Sequence, residues 1–296
     1  MLESRNDSFG DLLCDVKAEQ KEYGTRYRRI KDFAYPDDVQ MSVSFEIHFD
    51  AQLNRRVKNE PLMQMTRGEF GGRVGVWRLI ETFAKHGVRA TLFTPGRICE
   101  LYPESLKEAV NKGFEIGNHM WEHRMPSEPD LERDHLKKAT KAVEKLCGQR
   151  PVGSRSKHKI ATLKHEGYLY ASREDHPIDD FPYYTYDSEG NCILNFPFHY
   201  AGDDAIYYYL GFYGCDLAGN RPSDPSRVYD IWMNIFRQSY RMGRHMSICL
   251  HNFVSGHALR VAMLDKFLTE LRKMPRVWFP TYREMAEYCL DRFPPH

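Results

Sequence analysis

The run Gly117-Asn118-His119-Met120-Trp121-Glu122-His123 holds two histidines four positions apart, directly after the short strand-like stretch Phe114-Glu115-Ile116. That spacing predicts that both imidazoles share one side of a helical turn, close enough to grip one cation from adjacent coordination positions. Such a cation also needs a carboxylate, and Val43-Ser44-Phe45-Glu46-Ile47-His48-Phe49-Asp50 offers one. This segment alternates with period two, which predicts a strand with Phe45, Ile47 and Phe49 on one face and Glu46, His48 and Asp50 on the other. Three groups able to bind metal or protons would then line one side of one strand.

Around these two stretches, strands and helices alternate. Val76, Leu79, Ile80 and Phe83 follow a helical stripe ended by Gly87, and Arg89 to Phe93 is a short strand stopped by Pro95-Gly96. Pro103 opens a second helix that runs to Gly113, Phe114 to Gly117 is the next strand, and Leu131 to Cys147 is a long helix closed by Gly148. Pro151 to Arg155 starts another strand, Ser247 to His251 is a strand ending in histidine, and helices begin near Ala258 and Arg283. The rhythm predicts an α/β fold of parallel βαβ units, so that groups at strand C-terminal ends, among them Asp50, His119 and Arg155, collect on one rim. Between the secure elements, Asn54 to Asn59 reads as a polar loop. Arg67 to Gly72 reads as either a tight loop or a place of close backbone approach. The middle third, roughly 161 to 245, is rich in aromatic residues and irregular. Residues 1–40 are a polar N-terminal arm, and 41–296 form a single domain without repeats or linkers.

Composition narrows the function classes. Lys and Arg total 42 against 41 Asp and Glu, and the net charge of +1 carries no basic footprint for nucleic acid. No apolar stretch approaches the roughly 18 residues needed to span a bilayer, and the polar N-terminus shows no export signal. Seven scattered cysteines without a CxxC pair read as reduced thiols, and the expectation is a cytoplasmic protein.

The assembled motifs resemble the polysaccharide deacetylase (NodB-homology) superfamily, in particular its cytoplasmic branch of allantoinase-like, cyclic-imide-hydrolase-like and peptidoglycan-deacetylase-like proteins. The resemblance runs through His48-Phe49-Asp50-Ala51, Arg67 to Gly71, Ala90 to Gly96, the Gly117-Asn118-His119 to His123 block, Arg155-Ser156 and Leu250-His251. It implies a distorted (β/α) barrel, hydrolysis of an amide C–N bond, and one divalent metal ion, often zinc, with manganese or cobalt as alternatives. Carried over by position, Asp50, His119 and His123 would hold the metal, His251 would protonate the leaving nitrogen and Arg155 would orient the base. The branch is often multimeric, so a homo-oligomer is implied.

Three positions depart from the family pattern. The base is usually an Asp two residues before the metal Asp, where this chain has His48. Either His48 is the base, or it joins the metal ligands, or Glu46 on the same face takes the proton, or the site no longer hydrolyses anything. After Arg155-Ser156 the usual Pro is replaced by Lys157-His158-Lys159, whose charge suggests an acidic or electron-rich substrate, with Lys157 and Glu46 as substrate-binding residues. Asn252 also replaces a common Pro after the last His. The leading expectation is a metal-dependent hydrolase of a small cytoplasmic amide, imide or ureide. An N-deacetylase of an amino sugar or peptidoglycan fragment, and a non-catalytic ligand-binding homologue, are the alternatives.

Overall fold

The computed structural model describes residues 26–172, 179–208 and 223–295, which contain ten strands: β1 Arg26–Arg29, β2 Met41–His48, β3 Thr91–Thr94, β4 Glu115–Asn118, β5 Gly153–Ser154, β6 Tyr170–Ala171, β7 Tyr183–Tyr186, β8 Cys192–Asn195, β9 His245–His251 and β10 Val277–Trp278. They form one sheet in the order β1-β7-β8-β6-β5-β4-β3-β2-β10, with β9 also paired to β2. Every pairing from β9 through β2 to β8 is parallel, and only β7 with β8 and β1 with β7 are antiparallel. The sheet curls into a half-barrel of the distorted (β/α) kind that the sequence predicts.

β2 is buried along its whole length, and its alternation separates two environments. Val43, Phe45 and Ile47 join a core built with Leu79, Ile80 and Phe83 of helix Val76–Lys85, Trp232 and Phe236 of helix Pro225–Met242, and Leu264 and Phe267 of helix Ala258–Lys273. On the other face stand Ser42, Ser44, Glu46 and His48, and these buried polar groups find partners. Ser42 Oγ bonds to His245 Nδ1 at 2.8 Å, and Ser44 Oγ donates to the carbonyl of Pro280 at 3.0 Å. Below the site the interior is filled by rings: Phe93, Tyr170, Phe196 and Tyr282 form a second core, with Phe196 and Tyr282 stacked at 4.3 Å.

Several expectations need correction. The segment 54–59 is not a loop throughout, because Leu53–Val57 is a short helix. Arg67 to Gly72 is helical as well: Leu62–Phe70 continues through a π-turn, Gly71–Gly75, into Val76–Lys85. The glycines there serve close approach. A Cβ on Gly68 would lie 2.4 Å from Gln52 Cα, and one on Gly75 would lie 2.1 Å from the Asn252 carbonyl oxygen. The middle third holds β6, β7, β8 and an 18-residue helix, Pro225–Met242, capped by Asp224, whose side chain accepts from Ser226 N at 2.8 Å. Of the expected arm, residues 1–25 lie outside the described residues. Its end is part of the sheet: β1 pairs with β7, and Phe33 stacks on Phe181 and Phe293.

Gly75→Ala forces a methyl group into the backbone of the turn after His251, so it is expected to destabilise the fold by roughly 1–3 kcal/mol. A lower denaturant midpoint at unchanged slope in urea unfolding checks it.

Candidate active site

Parallel strands deliver the predicted residues to one rim. β2 and β9 run in register with His48 opposite His251 and Glu46 opposite Cys249, which brings the two histidine rings to 4.7 Å. The ladder continues past the strand ends: Phe49 N donates to Phe93 O, His119 N to Thr94 O, and Arg155 N to Asn118 O. Asp50, His119 and Arg155 therefore emerge at neighbouring points of the same edge.

His119 and His123 are not on a helical turn, contrary to the expectation from their spacing. Met120 and His123 have φ of 68° and 57°, left-handed conformations that break any helix. The loop is built instead by Asn118, whose Oδ1 accepts from Met120 N at 2.8 Å, and by Gly96 N and Arg97 N, which donate to the carbonyls of Met120 and Trp121. The two rings still meet, edge to face at 4.6 Å. His119 Nε2 lies 3.5 Å from Asp50 Oδ1, and His123 Nε2 lies 3.4 Å from Asp50 Oδ2.

His119 Nδ1 bonds to the carbonyl of Arg155, which leaves Nε2 facing Asp50 with its lone pair available. Burial keeps His119 well below the ordinary imidazole pKa, so it is neutral, the form that ligates metal. Asp50 Oδ1 and His119 Nε2 are both buried and have no hydrogen-bond partner among the described residues. A pair of orphaned polar atoms aimed at each other is costly unless a further group lies between them. One carboxylate and two imidazoles are the donor set of a zinc-type cation, so the residues fit such a group. His48, Asp50 and His119 also offer ligand atoms within 4.8 Å of one another, so the geometry admits His48 as a neighbour of the same centre.

His48 is buried, and burial together with the positive charge of His251 and Arg155 holds it well below the ordinary imidazole pKa. Its Nε2 lies 3.4 Å from Glu46 Oε1 and 3.6 Å from Cys249 Sγ. Glu46 is held from the other side: Ser172 Oγ donates to its Oε2 at 2.9 Å and Arg155 Nη2 stands 3.7 Å from Oε1. Arg155 is itself buried, donates from Nη1 to the Ser172 carbonyl at 3.1 Å, and lies 4.4 Å over the ring of Phe198. Lys157, by contrast, is exposed and makes none of the contacts that tie these residues together.

His251 closes the cluster. Its Nδ1 bonds to Asp204 Oδ1 at 2.7 Å, its backbone N donates to Asp204 Oδ2 at 2.9 Å, and Ser255 Oγ donates to the same Oδ2. Burial works to lower its pKa, but Asp204 and then Asp203 outweigh that and raise it to about 9, so the ring is cationic at neutral pH. Burial lifts the neighbouring Asp203 to about 6. The residues missed in the sequence are Asp203, Asp204, Ser172 and Ser255. The adjacent acid pair Asp203-Asp204 inside an aromatic stretch was the available signal, because two carboxylates rarely sit together among tyrosines without a cation to face.

Residues 69–168 match the polysaccharide deacetylase family. A peptidoglycan deacetylase of Helicobacter pylori is 27% identical over 265 residues, which cover 78% of this chain and 88% of the relative. A solved Mycobacterium smegmatis structure assigned to the polysaccharide deacetylases superposes with a TM-score of 0.77 at 25% identity, covering 86% of this chain and 92% of the other. The Puue allantoinase structure gives 0.77 at 20% identity, covering 88% and 94%, and shares the fold. The matched residues 69–168 hold β3, β4, β5 and the two-histidine loop and form a polysaccharide deacetylase domain, which makes the chain similar to a family of hydrolases of carbon–nitrogen bonds other than peptide bonds.

Proposed function

We propose that this chain hydrolyses the amide C–N bond of a small amide, imide or ureide, cyclic substrates included, and that it does so in the cytoplasm with one divalent cation. Asp50, His119 and His123 would hold that cation, zinc first and manganese or cobalt as substitutes. The observation that carries the reading is the pair of buried orphan atoms, Asp50 Oδ1 and His119 Nε2, facing each other beside a cationic imidazole. When bound, a divalent cation there polarises the carbonyl and acidifies water. His48, neutral and next to the Asp50–His119 pair, takes the proton from the attacking water, while Glu46 and Arg155 fix its surroundings. His251, protonated and oriented by Asp204, gives a proton to the departing nitrogen. The five described cysteines are free thiols, which suits a reducing compartment, and Leu62 and Met63, exposed side by side, suit a homo-oligomer.

A second reading, N-deacetylation of an amino sugar or peptidoglycan fragment, is supported by the Helicobacter pylori relative, whose printed name is peptidoglycan deacetylase. Assaying the zinc-loaded protein for acetate release from N-acetylated sugars, and for ring opening of hydantoin- and succinimide-type substrates, separates the two. Turnover of neither class defeats both.

Asp50→Ala is expected to lower bound metal from about one ion per chain to near zero, as read by elemental analysis, and to abolish turnover. His48→Gln should keep the metal and lose roughly 10²- to 10⁴-fold in kcat; loss of metal in that variant would instead make His48 a ligand. The proton on His251 is present below about 9, so activity should persist through neutral pH and fall as pH rises through that value. In Asp204→Asn, burial acts without its counterweight, and the alkaline limb of the kcat profile should move down to the ordinary histidine range near 6.5 or lower.

A further inference from the structure

Among the described residues of the cluster, His123 is the most exposed to solvent. The side chains of Glu46, His48, Asp50, His119, Arg155 and His251 are at most 5% exposed, whereas His123 is 22% exposed. A substrate whose carbonyl sits at Asp50 has a path outwards past His123. The two residues flanking His123, Glu122 and Arg124, line a cavity of about 590 Å³. Arg56, Val57 and Asn59, at the end of the short helix begun just after Asp50, also line it, as do Ser127 and His135. Both loops that carry the cluster's outer edge thus continue into one pocket of ligand size.

The charge of that pocket is one-sided. Arg56 and Arg124 make no ion pair among the described residues, and the one acidic residue in the wall, Glu122, is drawn towards Arg97 at 3.6 Å. His135 lies partly buried with Nδ1 shielded and unbonded, and burial lowers its pKa, so it offers a neutral hydrogen-bonding atom in the lining. Two exposed guanidinium groups without an ion pair among the described residues, lining one cavity with Asn59, Ser127 and an imidazole, are suited to a carboxylate, which arginine binds through two parallel hydrogen bonds.

We infer that the cavity between Arg56 and Arg124 is a substrate subsite for a carboxylate, so that this hydrolase prefers amides carrying an anionic arm next to the scissile acyl group. The inference rests on the proposed placement of the amide at Asp50, His119 and His123, and adds what lies beyond it. Two ligands with the same acetamide test it: N-acetylmuramic acid, which bears a carboxylate, and N-acetylglucosamine, which does not.

Calorimetric titration of the zinc-loaded protein is expected to show the carboxylate ligand binding about tenfold tighter or more, the scale of one charge-assisted bidentate contact. Arg124→Gln and Arg56→Gln should each reduce that ratio towards one and leave N-acetylglucosamine affinity unchanged. Equal affinities in the unaltered protein would overturn the inference, and so would a preference that survives both substitutions, which would place the carboxylate on the cation itself. Acetate release is followed in the same samples. A preserved, arginine-dependent preference without release from either compound supports the subsite while counting against the hydrolysis of acetamides. Release without any preference sinks the subsite alone.

Discussion

A carboxylate oxygen and an imidazole nitrogen left facing each other in the protein interior set the terms for everything around them. Asp50 Oδ1 and His119 Nε2 have no hydrogen-bond partner among the described residues, and such a pair is unfavourable unless a positive group can sit between. The surrounding structure keeps that position available rather than collapsing on it. The Arg155 carbonyl occupies His119 Nδ1, the left-handed turn at Met120 swings His123 back towards the second carboxylate oxygen, and the ladder between β2 and β3 fixes where Asp50 emerges.

Next to this centre, the protein separates two imidazoles that are only 4.7 Å apart into opposite charge states. His251 has a buried carboxylate on Nδ1 and stays cationic, whereas His48, although beside the Glu46 carboxylate, is held neutral by burial and by the positive charge of His251 and Arg155. The proposed acid and the proposed base, of the same residue type, are thereby distinguished by environment alone. Glu46 sits between His48 and Arg155, so the guanidinium that would steady an aspartate at position 48 in the family pattern here steadies a carboxylate one strand-step lower.

Much of this was legible in the linear sequence. The alternation of Val43 to Asp50 placed Glu46, His48 and Asp50 on one face because period two follows from strand geometry, and β2 obeys it. The βαβ rhythm brought Asp50, His119, Arg155 and His251 to one edge because parallel strands all end there. What escaped was whatever depends on contacts between distant segments. The four-residue spacing of His119 and His123 suggested a helix, yet hydrogen bonds from the 95–97 loop select a turn. Arg67 to Gly72 read as a loop because glycine disfavours helix on its own, and only packing against Ala51-Gln52 and Asn252 overrides that preference. Asp204 belongs to a stretch whose tyrosines masked any periodic pattern, and its pairing with a histidine 47 positions away has no local signature.

The helix that carries those glycines touches both halves of the centre. At Gly68 it rests against the backbone just after Asp50, and at Gly75 against the backbone just after His251. Two contacts seven positions apart on one helical segment thus set the spacing between the Asp50 carboxylate and the His251 imidazole, which belong to separate chain segments. Any change that bends or rotates this helical segment would shift Asp50 and His251 together, so the spacing of the proposed ligand and the proposed acid is governed by an element that contributes neither group.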